Sequence, residues 1–179
     1  DNQPVLKELE QFIIADLGVH ILDVARYYFG EAKDLYCKTK RVNQAIKGED
    51  VANVMLETQS GVHCYIEMSY ASMLENERFP QTFILVEAEK GSAYLGPDGE
   101  IRITTKVGTK VETVKPTMYT WLDPAYAVAH ASAVDTNQNI LQGLMGGKAE
   151  TTGEDNIKTL NLVFAAYESA KTNQVISYN

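Results

Sequence analysis

Between residues 33 and 114 the chain is a series of short runs rich in β-branched and aromatic residues, cut by turn-forming residues every few positions. Such spacing has room for tight turns and none for crossover helices, so neighbouring runs must pair antiparallel. Residues 33–42 read as a strand, and 51–57 and 62–71 as a hairpin around Gln59, Ser60 and Gly61. The 62–71 run sets Val62, Cys64, Ile66, Met68 and Tyr70 on one face against His63, Tyr65, Glu67 and Ser69 on the other, the period-2 mark of a strand. Further strands are predicted at 82–88 and 91–95. Pro97, Asp98 and Gly99 form a turn, and 100–105 and 110–114 make a hairpin turning at Gly108.

Helical patterns flank this stretch. Leu17, Ile21, Val24 and Tyr28 share a helix face, with Asp16 as a suitable N-cap and Gly30 as a suitable terminator. A second helix is predicted over 123–146, ending in Gly146 and Gly147. Thr151, Thr152, Gly153, Glu154 and Asp155 resemble a capping box. After them Ile157, Leu160, Phe164, Tyr167 and Ala170 mark a third helix to about residue 173, and 175–178 read as a closing strand. Residues 1–15 lack periodicity and read as a lead-in to a single domain over 16–179. The order predicts an α+β fold: a single open, mostly antiparallel β-sheet with helices packed on one face. Neither face of the 62–71 strand is polar enough to be fully solvated, so a homodimer or tetramer through the open sheet face is expected.

Composition removes several function classes. At 179 residues and 45% hydrophobic the chain can bury a sizeable core. Its 24 acidic against 16 basic residues give a net charge of −8, which disfavours nucleic acid and anionic lipid as partners. No apolar run is long enough to cross a bilayer. Cys37 and Cys64 stand far apart, outside any Cys-x-x-Cys or Cys/His cluster, and read as reduced thiols of a cytoplasmic protein. No Gly-x-Gly-x-x-Gly, Gly-x-Ser-x-Gly or His-Glu-x-x-His is present. Gly143, Gly146, Gly147 and Lys148 approach a phosphate loop, but Gln142 and Ala149 break the pattern, and the glycines read as a helix terminator.

The pair with chemical promise is Asp16 and His20. Four residues apart on a helix, they share a face. A carboxylate so placed can orient an imidazole, and histidine as a residue type titrates near neutral pH, which suits general acid/base work. The alternatives are a plain N-cap for Asp16, an ordinary surface histidine for His20, or two ligands of a metal site whose third ligand is not visible nearby.

In full, Asp16-Leu-Gly-Val-His20-Ile-Leu-Asp23-Val-Ala-Arg26-Tyr-Tyr-Phe-Gly30 resembles the Asp-x-x-x-His helix of the glucose–fructose oxidoreductase, inositol dehydrogenase and MocA (Gfo/Idh/MocA) family. The hairpin from Glu49-Asp50-Val51 to Ser60-Gly61-Val62 is similar to a hairpin of that family. So are Glu87-Ala-Glu-Lys-Gly91-Ser-Ala-Tyr-Leu95, where Ala88 replaces the usual first glycine, and the helix from Thr151 through Ala170. The resemblance runs from about residue 16 to 178. It implies a fold like the C-terminal domains of the dihydrodipicolinate and glyceraldehyde-phosphate dehydrogenases. It also implies an NAD(P)-dependent oxidoreductase in which this chain supplies the substrate wall and oligomer interface, while an N-terminal Rossmann domain outside these residues holds NAD or NADP. By that resemblance His20 exchanges the proton of a sugar or polyol hydroxyl and Asp16 orients His20 or binds substrate. Hydride passes between the substrate carbon and the nicotinamide. Tyr119, Trp121 and Tyr126 either stack on a sugar ring or pack, and His130 is a further candidate substrate contact. Cofactor residues are expected outside the chain, and the isolated chain is not expected to turn over. The alternative is a non-catalytic assembly or ligand-sensing module with the same fold.

Overall fold

A computed structural model describes residues 4–75 and 81–178; residues 1–3 of the lead-in and residues 76–80 and 179 of the domain lie outside them. Among the described residues the chain is α+β with antiparallel strands throughout, divided between two four-stranded sheets. Two compact units contain them, residues 1–73 with 151–179, and residues 74–150.

The first unit opens with a short 3-10 helix, Pro4–Glu8, and a π-helical turn, Ile14–Gly18, that runs directly into α1, Val19–Phe29. Strands β1 (Ala32–Lys40), β2 (Val51–Thr58) and β3 (His63–Ser69) come next. The unit closes with α3 (Gly153–Thr172) and β8 (Ile176–Ser177). The sheet order is β3-β2-β1-β8. In register, Leu35 faces Leu56, Cys37 faces Val54, and Val54 faces Ile66. Those inward side chains are buried with Leu22, Leu162, Val163 and Ala166 of α1 and α3, and burying one such aliphatic side chain is worth roughly 2 kcal/mol. Ile13 and Ile14 belong to the same core. On the opposite sheet face Tyr36, Met55 and Tyr65 stand side by side. Met55 is 49% and Tyr65 78% exposed.

The helix faces differ only in part from the predicted ones: Leu17, Ile21, Tyr167 and Ala170 do pack against the core. The buried side of α1 carries Leu22, Ala25 and Arg26, while Tyr28 points to solvent. Helix winding begins upstream of Asp16, and the wider π turn shifts the phase of α1. Arg26 is only 9% exposed because its guanidinium is fully paired. It donates to Glu31 at 3.0 and 3.2 Å, to Asp155 at 3.1 Å, to Thr159 at 2.6 Å and to Asp23 at 3.4 Å. The guanidinium holds the Glu31 carboxyl below its usual range, against burial and with help from Lys158. On α3 the buried side is Thr159, Leu162, Val163, Ala165, Ala166 and Ser169, whereas Ile157 and Phe164 of the predicted stripe are exposed. Hydroxyl groups are tolerated there because each has a partner: Ser169 takes the Cys37 N–H and donates to the Gln174 carbonyl.

The second unit holds β4 (Ile84–Ala88), β5 (Gly91–Leu95), β6 (Glu100–Thr105), β7 (Gly108–Thr113) and α2 (Ala127–Leu144). Its strands pair in the order β4-β5-β6-β7. Gly91 has a φ of 155°, and a Cβ there would lie 2.0 Å from the Thr104 carbonyl oxygen, so the tight approach of β5 to β6 demands glycine. Helix α2 starts four residues later than predicted. The Asp123 carboxylate takes the Ala125 N–H at 2.9 Å and closes a turn instead. At its far end Gly146 has a φ of 93°, and Gly147 N–H reaches back to the Gln142 carbonyl at 3.0 Å, a helix-terminating arrangement as expected. The predicted single sheet becomes two because each group of three or four consecutive strands pairs within itself, and the remaining edge of β1 is taken by β8.

Candidate active site

Asp16 does not cap the helix. The residues before it are already wound, and the N–H groups of that first turn, which have no acceptor within the helix, are met from elsewhere. The Glu49 carboxylate accepts from Phe12 N–H at 3.1 and 3.2 Å and from Ile14 N–H at 3.3 Å. The Glu49 carbonyl takes the Ile13 N–H at 3.1 Å. The Tyr167 hydroxyl donates to Glu49 at 2.8 Å and accepts the Ala15 N–H at 3.1 Å. Burial, and then the Glu49 bond, push the Tyr167 phenol well above its ordinary value, so it stays protonated as a donor. This buried cap frees the Asp16 side chain from capping.

That side chain instead receives the Tyr70 hydroxyl on Oδ2 at 2.8 Å. Tyr70 comes directly after β3, an edge strand. Its N–H is tied to the Asp50 carbonyl at 2.8 Å and its ring lies 5.3 Å from that of Phe12. A shallow cavity of about 220 Å³ opens beside it, lined also by Phe12, Asn43, Ile46 and Asp50. One helical turn beyond Asp16, the His20 imidazole is exposed. Among the described residues no hydrogen bond joins it to Asp16. A solvent-facing imidazole next to a fixed, half-buried carboxylate can exchange a proton with a ligand hydroxyl.

The other predicted site residues belong to the second unit. Trp121 is 68% exposed, with its ring 5.4 Å from that of the half-buried Tyr119. Tyr126 stacks on His130 at 5.7 Å, one turn along α2. Among the described residues no three His, Cys, Asp or Glu side chains converge as a metal site, and no helix is long and apolar enough to cross a membrane. Burial pushes the Cys37 thiol up to about 12, so it is no nucleophile. Gly146 and Gly147, nearest a phosphate-loop pattern, follow the end of α2. Tyr70 and Glu49 were not singled out from the sequence. Strand alternation placed Tyr70 on the face of Ile66 and Met68, and nothing local connects it to Asp16.

The sequence model of the GFO/IDH/MocA C-terminal domain matches residues 3–94. The chain belongs to the Gfo/Idh/MocA family. Within the family it is 41% identical to a D-apiose dehydrogenase of Paraburkholderia graminis, over 98% of this chain and 47% of that protein. It is 38% identical to a D-apiose dehydrogenase of Rhizobium rhizogenes, over 98% of this chain and 51% of that protein. An oxidoreductase from Agrobacterium radiobacter, crystallised with NAD+, L-tartaric acid and magnesium, superposes with a TM-score of 0.93. It is 38% identical and covers 98% of this chain and 52% of its own. The chain thus spans about half the length of the curated Gfo/Idh/MocA relatives it matches.

Proposed function

We propose that residues 16–179 are the substrate-binding and oligomerisation domain of an NAD(P)-dependent oxidoreductase that oxidises a hydroxyl of a sugar or polyol, with residues 1–15 leading in. The nearest substrate chemistry is that of an aldose such as D-apiose. The observation that carries this reading is the Asp16–His20 turn, an exposed imidazole beside a carboxylate held by Tyr70. Its relatives that are D-apiose dehydrogenases support a sugar as the substrate of that pair. His20 accepts the hydroxyl proton as the carbinol is oxidised, and returns it in the reverse direction. Asp16 keeps the pair in place. NAD or NADP supplies the hydride acceptor and is held by sequence outside these residues, since no glycine-rich strand-to-helix turn occurs within them.

For Tyr119, Trp121, Tyr126 and His130 a substrate-contacting role rests on chemistry. The exposed Trp121 ring against Tyr119 is a platform suited to the C–H face of a sugar. A cytoplasmic setting fits the two free thiols, Cys37 and Cys64. The Tyr36, Met55 and Tyr65 face supports a homodimer or tetramer through the open side of the first unit's sheet. Sedimentation of the complete protein at micromolar concentration is expected to show that assembly; a monomer would refute it.

The activity is tested by incubating the complete protein with NAD+ or NADP+ and a panel of aldoses and polyols that includes D-apiose. Reduction of the nicotinamide, strongest with a branched or short aldose, is expected. No reduction with any member of the panel would overturn the assignment.

A further inference from the structure

Asp16 has one carboxylate oxygen taken and one free. Oδ2 accepts from Tyr70 at 2.8 Å, and among the described residues Oδ1 has no partner. Both ends of this bond are anchored to the same dipeptide. Glu49 grips the turn that carries Asp16 through the N–H groups of Phe12, Ile13 and Ile14. Asp50 takes the backbone N–H of Tyr70, and its own carboxylate ties down Val42 and Asn43 at 2.6 and 2.8 Å. The Tyr70 ring is further held against Phe12. Donor and acceptor, 54 residues apart in sequence, are therefore registered to one another through one buried point of the backbone. A bond between two untethered surface side chains has no such registration.

We infer that Tyr70 is a positioning residue for proton transfer: its hydroxyl fixes the Asp16 carboxylate so that Oδ1 is presented to the His20 imidazole or to a substrate hydroxyl. The inference rests on the function proposed above for Asp16 and His20. Burial, then the bond to Asp16 and its charge, push the Tyr70 phenol well above its ordinary value. The hydroxyl thus keeps its proton at any pH where such an enzyme works, and remains a donor. A carboxylate left to rotate must be ordered during the reaction, whereas one already clamped meets that entropy cost when the chain folds.

The test uses the complete protein carrying Tyr70→Phe, Asp16→Asn and both together, with kcat and KM measured on one sugar substrate. Phenylalanine retains the ring against Phe12 and removes only the hydroxyl, and an unchanged thermal midpoint checks that the fold survives. Tyr70→Phe is expected to lower kcat about tenfold with KM within about twofold, the scale of a lost hydrogen bond to a charged group. In the Asp16→Asn background the same change is expected to alter kcat less than about twofold, because a residue that acts through another loses its effect when that other is gone. A wild-type kcat in Tyr70→Phe would overturn the inference. So would an undiminished loss in the Asp16→Asn background. The His20→Ala variant separates the two levels. If it is inactive while Tyr70→Phe is normal, the positioning role alone fails; if it is fully active, the proposed site and this inference fall together.

Discussion

Replacing His20 by alanine in the complete protein is expected to lower kcat/KM about a thousandfold, the middle of the range for loss of a general acid/base. The residue has little else to lose. Its imidazole is exposed and, among the described residues, unbonded, so truncation leaves no buried group without a partner and no cavity. Folding should be unaffected, with a change in stability within roughly 0.5 kcal/mol, as for ordinary surface substitutions. The loss should fall mainly on kcat, since proton transfer matters in the transition state rather than in binding. Asparagine at position 20 can hydrogen-bond but cannot exchange a proton, so it should be nearly as damaging as alanine. Steady-state kinetics of the two variants decide the matter: activity within about tenfold of wild type would remove His20 from the chemistry.

Glu49→Ala is expected to cost about 3 kcal/mol of stability. The carboxylate accepts the N–H groups of Phe12 and Ile14 and the hydroxyl of Tyr167, and Glu49 itself is only 9% exposed. Removing it strands three donors, and each unsatisfied buried donor costs roughly 1–3 kcal/mol; some recover through water reaching the gap, which sets the lower total. Glutamine at position 49 keeps one acceptor oxygen and should lose about half as much. Urea unfolding followed by far-ultraviolet circular dichroism reads the difference, and a loss under about 1 kcal/mol would show that the turn is capped adequately without Glu49. Because the same turn carries Asp16, the alanine variant should also lose activity at temperatures where it remains folded.

Features that depend on neighbours in sequence were legible. Strand alternation at 62–71 put Ile66 and Met68 on one face, and the fold buries both. The capping box was equally readable: Thr152 accepts the Asp155 N–H at 3.2 Å. So was the stop at Gly30, with its φ of 90°. These signals involve residues within a few positions of one another, where the backbone geometry alone selects the residue type. The family was legible for a related reason, since the Asp-x-x-x-His spacing and the order of hairpins and helices lie along the chain.

Tertiary structure decided the rest. Periodicity found apolar stripes on α1 and α3 but did not tell which side is buried. Arg26 and Thr159 go inside because they pair with one another across 133 residues, a match that makes two polar groups cheaper to bury than their types imply. The edge of β1 is closed by β8, a pairing between residues about 140 positions apart, Asp34 with Ser177. Asp16 and His20 could be named from spacing, and the helix they share was visible. The partner of Asp16 was not: Tyr70 lies 54 residues away and reaches it only because the hairpin and the π turn are fastened to the same buried dipeptide. By itself, then, the sequence determined the elements, the family and the candidate Asp16–His20 pair, because each is a local pattern. Only the fold determined which faces are buried and what holds Asp16 still, because both are contacts between segments distant in sequence.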